Sequence, residues 1–432
     1  MSPAGHADGA LTALPRERER ALLWLLALTQ FTIIMDFMIM MPLGPQIMSA
    51  FVIGPPAFAT AVSAYAWCAG LSGLFAATYI DRFDRKKLLL LVFVLFALSN
   101  LACALATSFT MLQAARAFAG LTAGVLGSIV MAVVSDVIPQ SRRGAATGIV
   151  MTSFSLAAVF GVPMGILLGA RFGWESPFYL LAALSALICI AALEVVPTLT
   201  GHVHKQAPPL LRVLPNLLAL LLNPPYVRAF LLTGMVAGAS MVVIPFMAPV
   251  LVANHGVLPA QLSWIYMAGG VATFFTARII GRSSDRFGAV QVFRAIALFS
   301  IVPLMFVTHL PVLSLVAMIM LFPLLMIAMS GRFIPLQALV TTVPKPAERG
   351  AFLSVNSAVQ SLGTGLGAWL GGMLLSSGQG GEILGYGANG WVAAAITVVA
   401  VIWIGQVRRP ASGHRGGRVP ASDPASPQST PQ

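Results

Sequence analysis

Charge is what this sequence has least of. Only 9% of its 432 residues are Asp, Glu, Lys or Arg, against about 25% in a soluble globular protein. With 58% hydrophobic residues, a soluble body built from this chain would expose apolar patches larger than soluble monomers carry, which excludes an ordinary soluble enzyme. Acidic residues are scarcer than basic ones, 13 against 25, and the net charge is +12. In a soluble chain that excess would suggest nucleic acid; in a membrane chain the placement of the positive charges gives them their meaning, and nucleic acid is not an expected partner. Cysteine is nearly missing. Cys68, Cys103 and Cys189 all fall in apolar runs, which argues against disulfides and offers no metal-ligand spacing. The six His form no H-E-x-x-H or similar cluster. Without a nucleophile constellation, metal site or phosphate loop, the chain does not read as an enzyme.

Long apolar runs are what it has instead. Twelve stretches are long enough to cross a bilayer, which takes about 20 residues each: 21–48, 57–80, 87–107, 110–135, 145–172, 175–196, 226–252, 259–282, 289–308, 311–339, 350–376 and 388–407. The expected fold is an all-α membrane protein of twelve transmembrane helices in two six-helix bundles. Residues 1–20 form an N-terminal tail, 21–196 the first bundle, 197–225 a linker, 226–407 the second bundle and 408–432 a disordered tail rich in Pro, Ser, Gly and Arg. The linker is marked by His202, His204, Lys205, Pro208, Pro209, Arg212, Pro215, Pro224 and Pro225, with Leu210 to Leu222 expected to lie along the membrane surface. Alternating the spans from a cytoplasmic N-terminus puts 22 of the 25 Lys and Arg on or near the cytoplasmic side, so both termini are expected there. Arg171 alone falls outside, and Arg116 and Arg332 lie within spans. The first span is about 28 residues long and lacks a small-residue cleavage site, unlike a signal peptide.

The halves repeat weakly. Ile80-Asp81-Arg82-Phe83 recurs 204 residues later as Ser284-Asp285-Arg286-Phe287, and Arg143-Gly144 recurs 206 residues later as Arg349-Gly350. Paired six-helix halves that rock about a central site are a transporter architecture. The loop Asp81-Arg82-Phe83-Asp84-Arg85-Lys86-Lys87 resembles the signature G-x-x-x-D-R-x-G-R-K, with Ala77 and Asp84 where the pattern has glycine. Gly281 to Gly288 repeats it with both glycines and no trailing basic pair. Arg116-Ala-Phe-Ala-Gly120 matches R-x-x-x-G, and Gly161-Val-Pro163-Met-Gly165 resembles the G-x-P-x-G form of an antiporter signature. On these motifs the chain resembles the major facilitator superfamily over nearly all of residues 20–408, and within it the twelve-span drug:proton antiporters and sugar-efflux permeases. The resemblance implies a monomer in a bacterial-type inner membrane, powered by the proton gradient without a cofactor. It also implies gating by Asp81, Arg82, Arg85, Asp136, Asp285 and Arg286, with Arg85 and Asp136 like the pair that latches the outward-facing state. Gly120, Gly161, Pro163 and Gly165 are positions of close helix packing and bending.

Asp36 is the only acidic residue deep inside a span, where a charge costs about 2.5 to 3.5 kcal/mol on insertion scales. At about 1.5 Å per residue, Asp36 lies ~22 Å above the start of span one and Arg116 ~10 Å below the outer start of span four, a similar depth. A helix rearrangement that altered their separation would load and unload a proton at Asp36, with Arg116 as modulator; the alternative is a static ion pair joining spans one and four. Arg332 in span ten either binds an anionic group or snorkels. Asn356 and Gln360, a turn apart in span eleven, suit helix packing or substrate. Gln30, Met35 and Met38 flank Asp36 as further substrate candidates, since Met-rich surfaces suit varied apolar ligands. The expected function is proton-coupled efflux of a small, lipophilic compound by alternating access. Solute uptake with protons, or a non-transporting sensor on the same fold, are the competing readings.

Overall fold

The computed structural model describes residues 15–139, 142–197, 219–309, 313–345 and 348–407. The two expected tails beyond Pro15 and Val407, and nearly all of the linker including 210–218, lie outside them. Among the described residues the structure is almost entirely helical, with short 3₁₀ turns, a π-helical segment and one small hairpin: α1 Arg16–Ile39, α2 Gly44–Phe51, α3 Pro55–Tyr79, α4 Arg85–Ala104, α5 Phe109–Val137, α6 Arg143–Leu156, α7 Val162–Phe172, α8 Ser176–Val195, α9 Pro224–Met241, α10 Ile244–His255, α11 Pro259–Phe287, α12 Ala289–Thr308, α13 Leu315–Gly331, α14 Phe333–Val340, α15 Arg349–Met373 and α16 Tyr386–Trp403.

Among the described residues, ten helical stretches are long and apolar enough to cross a membrane. The remaining two of the twelve, α11 and α15, run 29 and 25 residues. They are more polar, because α11 ends in Arg278, Arg282, Asp285 and Arg286 while α15 is rich in Gly, Ser, Asn and Gln. Helix starts follow local chemistry. Asp84 accepts a hydrogen bond from the Lys86 amide at 2.9 Å and caps α4, which accounts for a carboxylate where the signature has glycine. Ser108 caps α5 through the Met111 amide at 3.2 Å. Pro224 and Pro225, read from the sequence as interruptions, form the first turn of α9, where proline lacks only an amide that no helix would bond.

Several spans read as continuous are broken. Span one stops at Ile39, turns through Met40–Leu43 and resumes as α2; span seven turns at Val242 and Val243; span ten turns at Arg332. Span five carries a π-helical segment, Ala157–Gly161, ahead of Pro163. Freed backbone groups inside a membrane need partners. At the span-seven break Asn389 donates to Val242 O at 2.8 Å and Gly371 O at 3.1 Å, and the Tyr386 hydroxyl donates to Val243 O at 3.3 Å.

The basic residues gather at one end of the helices, at Arg85, Lys86, Arg142, Arg143, Arg286 and Arg349. At the opposite end the halves close on each other. There α2 packs on α10, and α7 with the π segment packs on α11. The backbone of Ala158 lies so near α11 that a Cβ on Gly270 would meet its carbonyl oxygen at 2.6 Å. Toward the basic end α6 barely touches α11, but α3 and α15 join the halves along most of their length, from Gly372 against Ala59 to Gly70 against Ser361. A hairpin at the closed end, β1 Ser376–Ser377 with β2 Ile383–Leu384, is antiparallel and pairs Ser376 with Leu384 and Ser377 with Ile383. It is tied to α10 by Asn254, whose amide exchanges two hydrogen bonds of 2.8 Å with the backbone of Ile383.

Candidate functional site

Asp36 sits one turn before the break in span one, fully buried with Arg116. Arg116 Nη1 donates to Asp36 Oδ1 at 2.5 Å, and Nη2 donates to the Asp36 backbone carbonyl at 3.2 Å. The Tyr65 ring lies 4.3 Å from the guanidinium carbon and the Phe178 ring 5.8 Å, so aromatic faces cover the cation on two sides. The Tyr65 hydroxyl donates to Ile33 O at 3.4 Å. Asp36 Oδ2 and Arg116 Nε have no hydrogen-bond partner among the described residues. Arg116 is thus held by the Asp36 backbone carbonyl and the Tyr65 ring as well as by the Asp36 carboxylate.

The glycine motifs bring the other helices to this pair. A Cβ on Gly120 would collide with the Tyr65 backbone, so Gly120 is what lets α5 approach α3 closely enough for Arg116 to lie against Tyr65. Gly161 and Gly165 face α1, where a Cβ would meet Met35 Sδ at 3.2 Å and Ile39 Cδ1 respectively. Pro163 opens α7 directly after the π segment, and together they bend span five over Asp36. Met35, expected beside a substrate, is fully buried in this contact, whereas Met38 and Gln30 are half-buried and Gln30 Oε1 has no partner among the described residues.

In the C-terminal half, Arg332 is equally buried. Its Nη1 donates to Thr397 Oγ1 at 3.0 Å, and its Nη2 to Ser240 Oγ at 2.7 Å and Val236 O at 3.3 Å. It ties the breaks of spans seven and ten to span twelve. Ser240 stands 204 residues after Asp36, the offset that relates Asp81 to Asp285. Neither Ser240 nor Thr397 nor Tyr65 stood out in the sequence; adding that offset to Asp36 is the signal that finds Ser240. Asn356 accepts from Thr233 at 2.8 Å and so joins spans eleven and seven. Gln360, half-buried, accepts from Gln337 of α14 at 3.4 Å, an amide pair between spans ten and eleven.

At the basic end Arg85 Nε bonds Asp136 Oδ2 at 3.0 Å. Both belong to the same half, where the pair joins α4 to α5. Asp285 and Arg286 are exposed in the last turn of α11, with Arg286 5.1 Å from the Phe287 ring. Arg82 is exposed in the 3₁₀ turn Ile80–Arg82; the Asp81 side chain lies outside what is described.

Two halves of six spans, helices broken within their spans and a buried charge pair between spans one and four define a membrane transporter. The sequence pattern of the Major Facilitator Superfamily matches residues 26–251 and 229–429, and the chain belongs to that family. A probable sugar efflux transporter of Mannheimia succiniciproducens is 25% identical over 355 residues, 79% of this chain and 82% of the relative. The uncharacterized MFS-type transporter YtbD of Bacillus subtilis is 26% identical, covering 80% of this chain and 85% of its own length. Among solved structures, a bacterial homologue of the human lysosomal transporter Spinster, inward-facing and occupied, superposes with a TM-score of 0.74 at 17% identity over 91% of this chain and 97% of that one.

Proposed function

We propose that this transporter exports a small uncharged solute in exchange for protons, with Asp36 as the carboxylate that carries the proton. The enclosed Asp36–Arg116 pair is the observation that carries this reading. A proton arriving on the unpartnered Oδ2 would cancel the charge that holds Oδ1 to Arg116. Arg116 would keep its bonds to the Asp36 carbonyl and the Tyr65 ring, so the carboxylate switches while the guanidinium stays fixed. Because Asp36 adjoins the break in span one and packs through Met35 on the bend of span five, loss of the ionic contact is transmitted to two helices that shape the path. Asp81, Arg82, Arg85, Asp136, Asp285 and Arg286 stand at the basic end of the helices, which on this reading is the cytoplasmic one, and would form and break the gating contacts.

The names of the relatives support sugars as one solute class; the half-buried Phe37 and Met38 beside Asp36 support lipophilic compounds as another. Inside-out vesicles loaded with acid decide both points. Adding a transported solute should release lumenal protons, and an Asp36→Asn variant that folds should not do so. Proton uptake in the opposite sense would replace export with symport, and undiminished release by Asp36→Asn would remove Asp36 from coupling.

A further inference from the structure

The described spans hold three charges away from their ends, and they do not balance. Asp36 and Arg116 answer one another, but Arg332 forms no ion pair with any described carboxylate. Its partners are neutral. Ser240 Oγ donates its own hydrogen to Val236 O at 3.1 Å and Thr397 Oγ1 to Ala393 O at 2.7 Å, so both turn lone pairs toward the guanidinium. Arg332 Nε is buried with no partner among the described residues. Such a cage satisfies hydrogen bonds and leaves the net charge in place, and an uncompensated charge acts at a distance through a poorly screened interior. The interior carries one net positive charge when Asp36 is ionised and two when it is protonated. Arg332 lies five residues before Gln337, whose amide reaches the half-buried Gln360 between spans ten and eleven.

We infer that Arg332 is a specificity-determining residue: its uncompensated guanidinium, held by Ser240, Thr397 and the Val236 carbonyl, turns cationic solutes away from the central path and admits uncharged ones. This deepens the transport reading and rests on it. For unit charges about 10 Å apart at an effective dielectric near ~20, the discrimination is on the order of tenfold.

Two variants change the charge by different routes. Arg332→Gln removes it but keeps an amide donor near Thr397 and Ser240. Ser240→Asp keeps Arg332 and places a carboxylate where the hydroxyl now accepts at 2.7 Å. Binding of tetraphenylphosphonium and of neutral triphenylphosphine oxide is measured on the purified full-length protein in lipid nanodiscs, alongside export of both from cells. Each variant should raise the ratio of cation to neutral affinity about tenfold. An unchanged ratio in either variant that melts like the wild type overturns the inference, because a purely structural Arg332 would be tied at least as firmly by Ser240→Asp. If the binding ratios shift as expected while the wild type exports neither compound nor any other solute, the transport reading fails and the selectivity of the interior stands.

Discussion

In the N-terminal half a buried guanidinium faces a carboxylate; in the C-terminal half a buried guanidinium faces two hydroxyls and a carbonyl, at a residue 204 positions after Asp36. The two contacts share their architecture, an arginine on one span reaching across to a helix that breaks a few residues further on. They differ in chemistry, since a carboxylate can take up a proton and a hydroxyl does not. The broken helix and the arginine are thus the common scaffold, and in the proposed mechanism the single residue opposite the arginine is what distinguishes the half that couples to protons.

The sharpest way to break this comparison is to make the halves alike. Asp36→Asn should cut solute-driven proton release at least a hundredfold, checked in inside-out vesicles with the amount of folded protein measured beside it. It should also destabilise, because removing one partner of a buried ion pair leaves the other charge uncompensated, typically at about 3 to 5 kcal/mol. Removing both partners in Asp36→Asn with Arg116→Met should recover part of that loss, and a thermal-melt cycle over the four proteins measures the coupling. If the double variant is no better than the worse single one, the pair is not the element that distinguishes this half.

Packing supplies a middle-sized test. Gly120→Ala places a Cβ into the Tyr65 backbone and should cost about 1 to 3 kcal/mol, lowering the melting temperature and loosening Arg116. In the other half, Thr233→Val removes the donor to Asn356 and should cost about 1 to 2 kcal/mol with transport retained. The smallest effect concerns the span starts. Span one is tied to the loop before span five by Glu19 and Arg142, whose two oxygens and two nitrogens meet at 2.8 and 3.0 Å. Span seven is tied to the loop before span eleven by the Tyr226 hydroxyl donating to Glu348. Arg142 is half exposed, so Glu19→Gln should cost below about 1 kcal/mol and the difference should vanish at high salt. Tyr226→Phe should show little salt dependence, since it removes a hydrogen bond and no ion pair.

Much of the fold was legible because the bilayer imposes it. A helix must supply about 20 apolar residues to span hydrocarbon, so hydropathy alone located Asp36, Arg116 and Arg332 inside the membrane. The similar depth of Asp36 and Arg116 followed from the rise per residue, and the structure brings them to 2.5 Å. The breaks carry a local signal that hydropathy misses: Pro42 lies in the first turn and Pro245 follows the second, each lacking an amide to continue the helix, while Arg116, Asn389 and Tyr386 from other spans take the freed carbonyls. Partners across helices were not legible: Asn356 and Gln360, adjacent on one helix face, serve different ones, Thr233 and Gln337.

The sequence by itself determined the membrane class, the span count, the doubling and the short roster of interior charges, since each follows from transfer free energies and helix geometry that act along the chain. Tertiary structure decided which charges meet. Arg116 and Arg332 are chemically identical and equally buried, and nothing local separates them; only the helices that close around each determine that one finds Asp36 and the other Ser240 and Thr397.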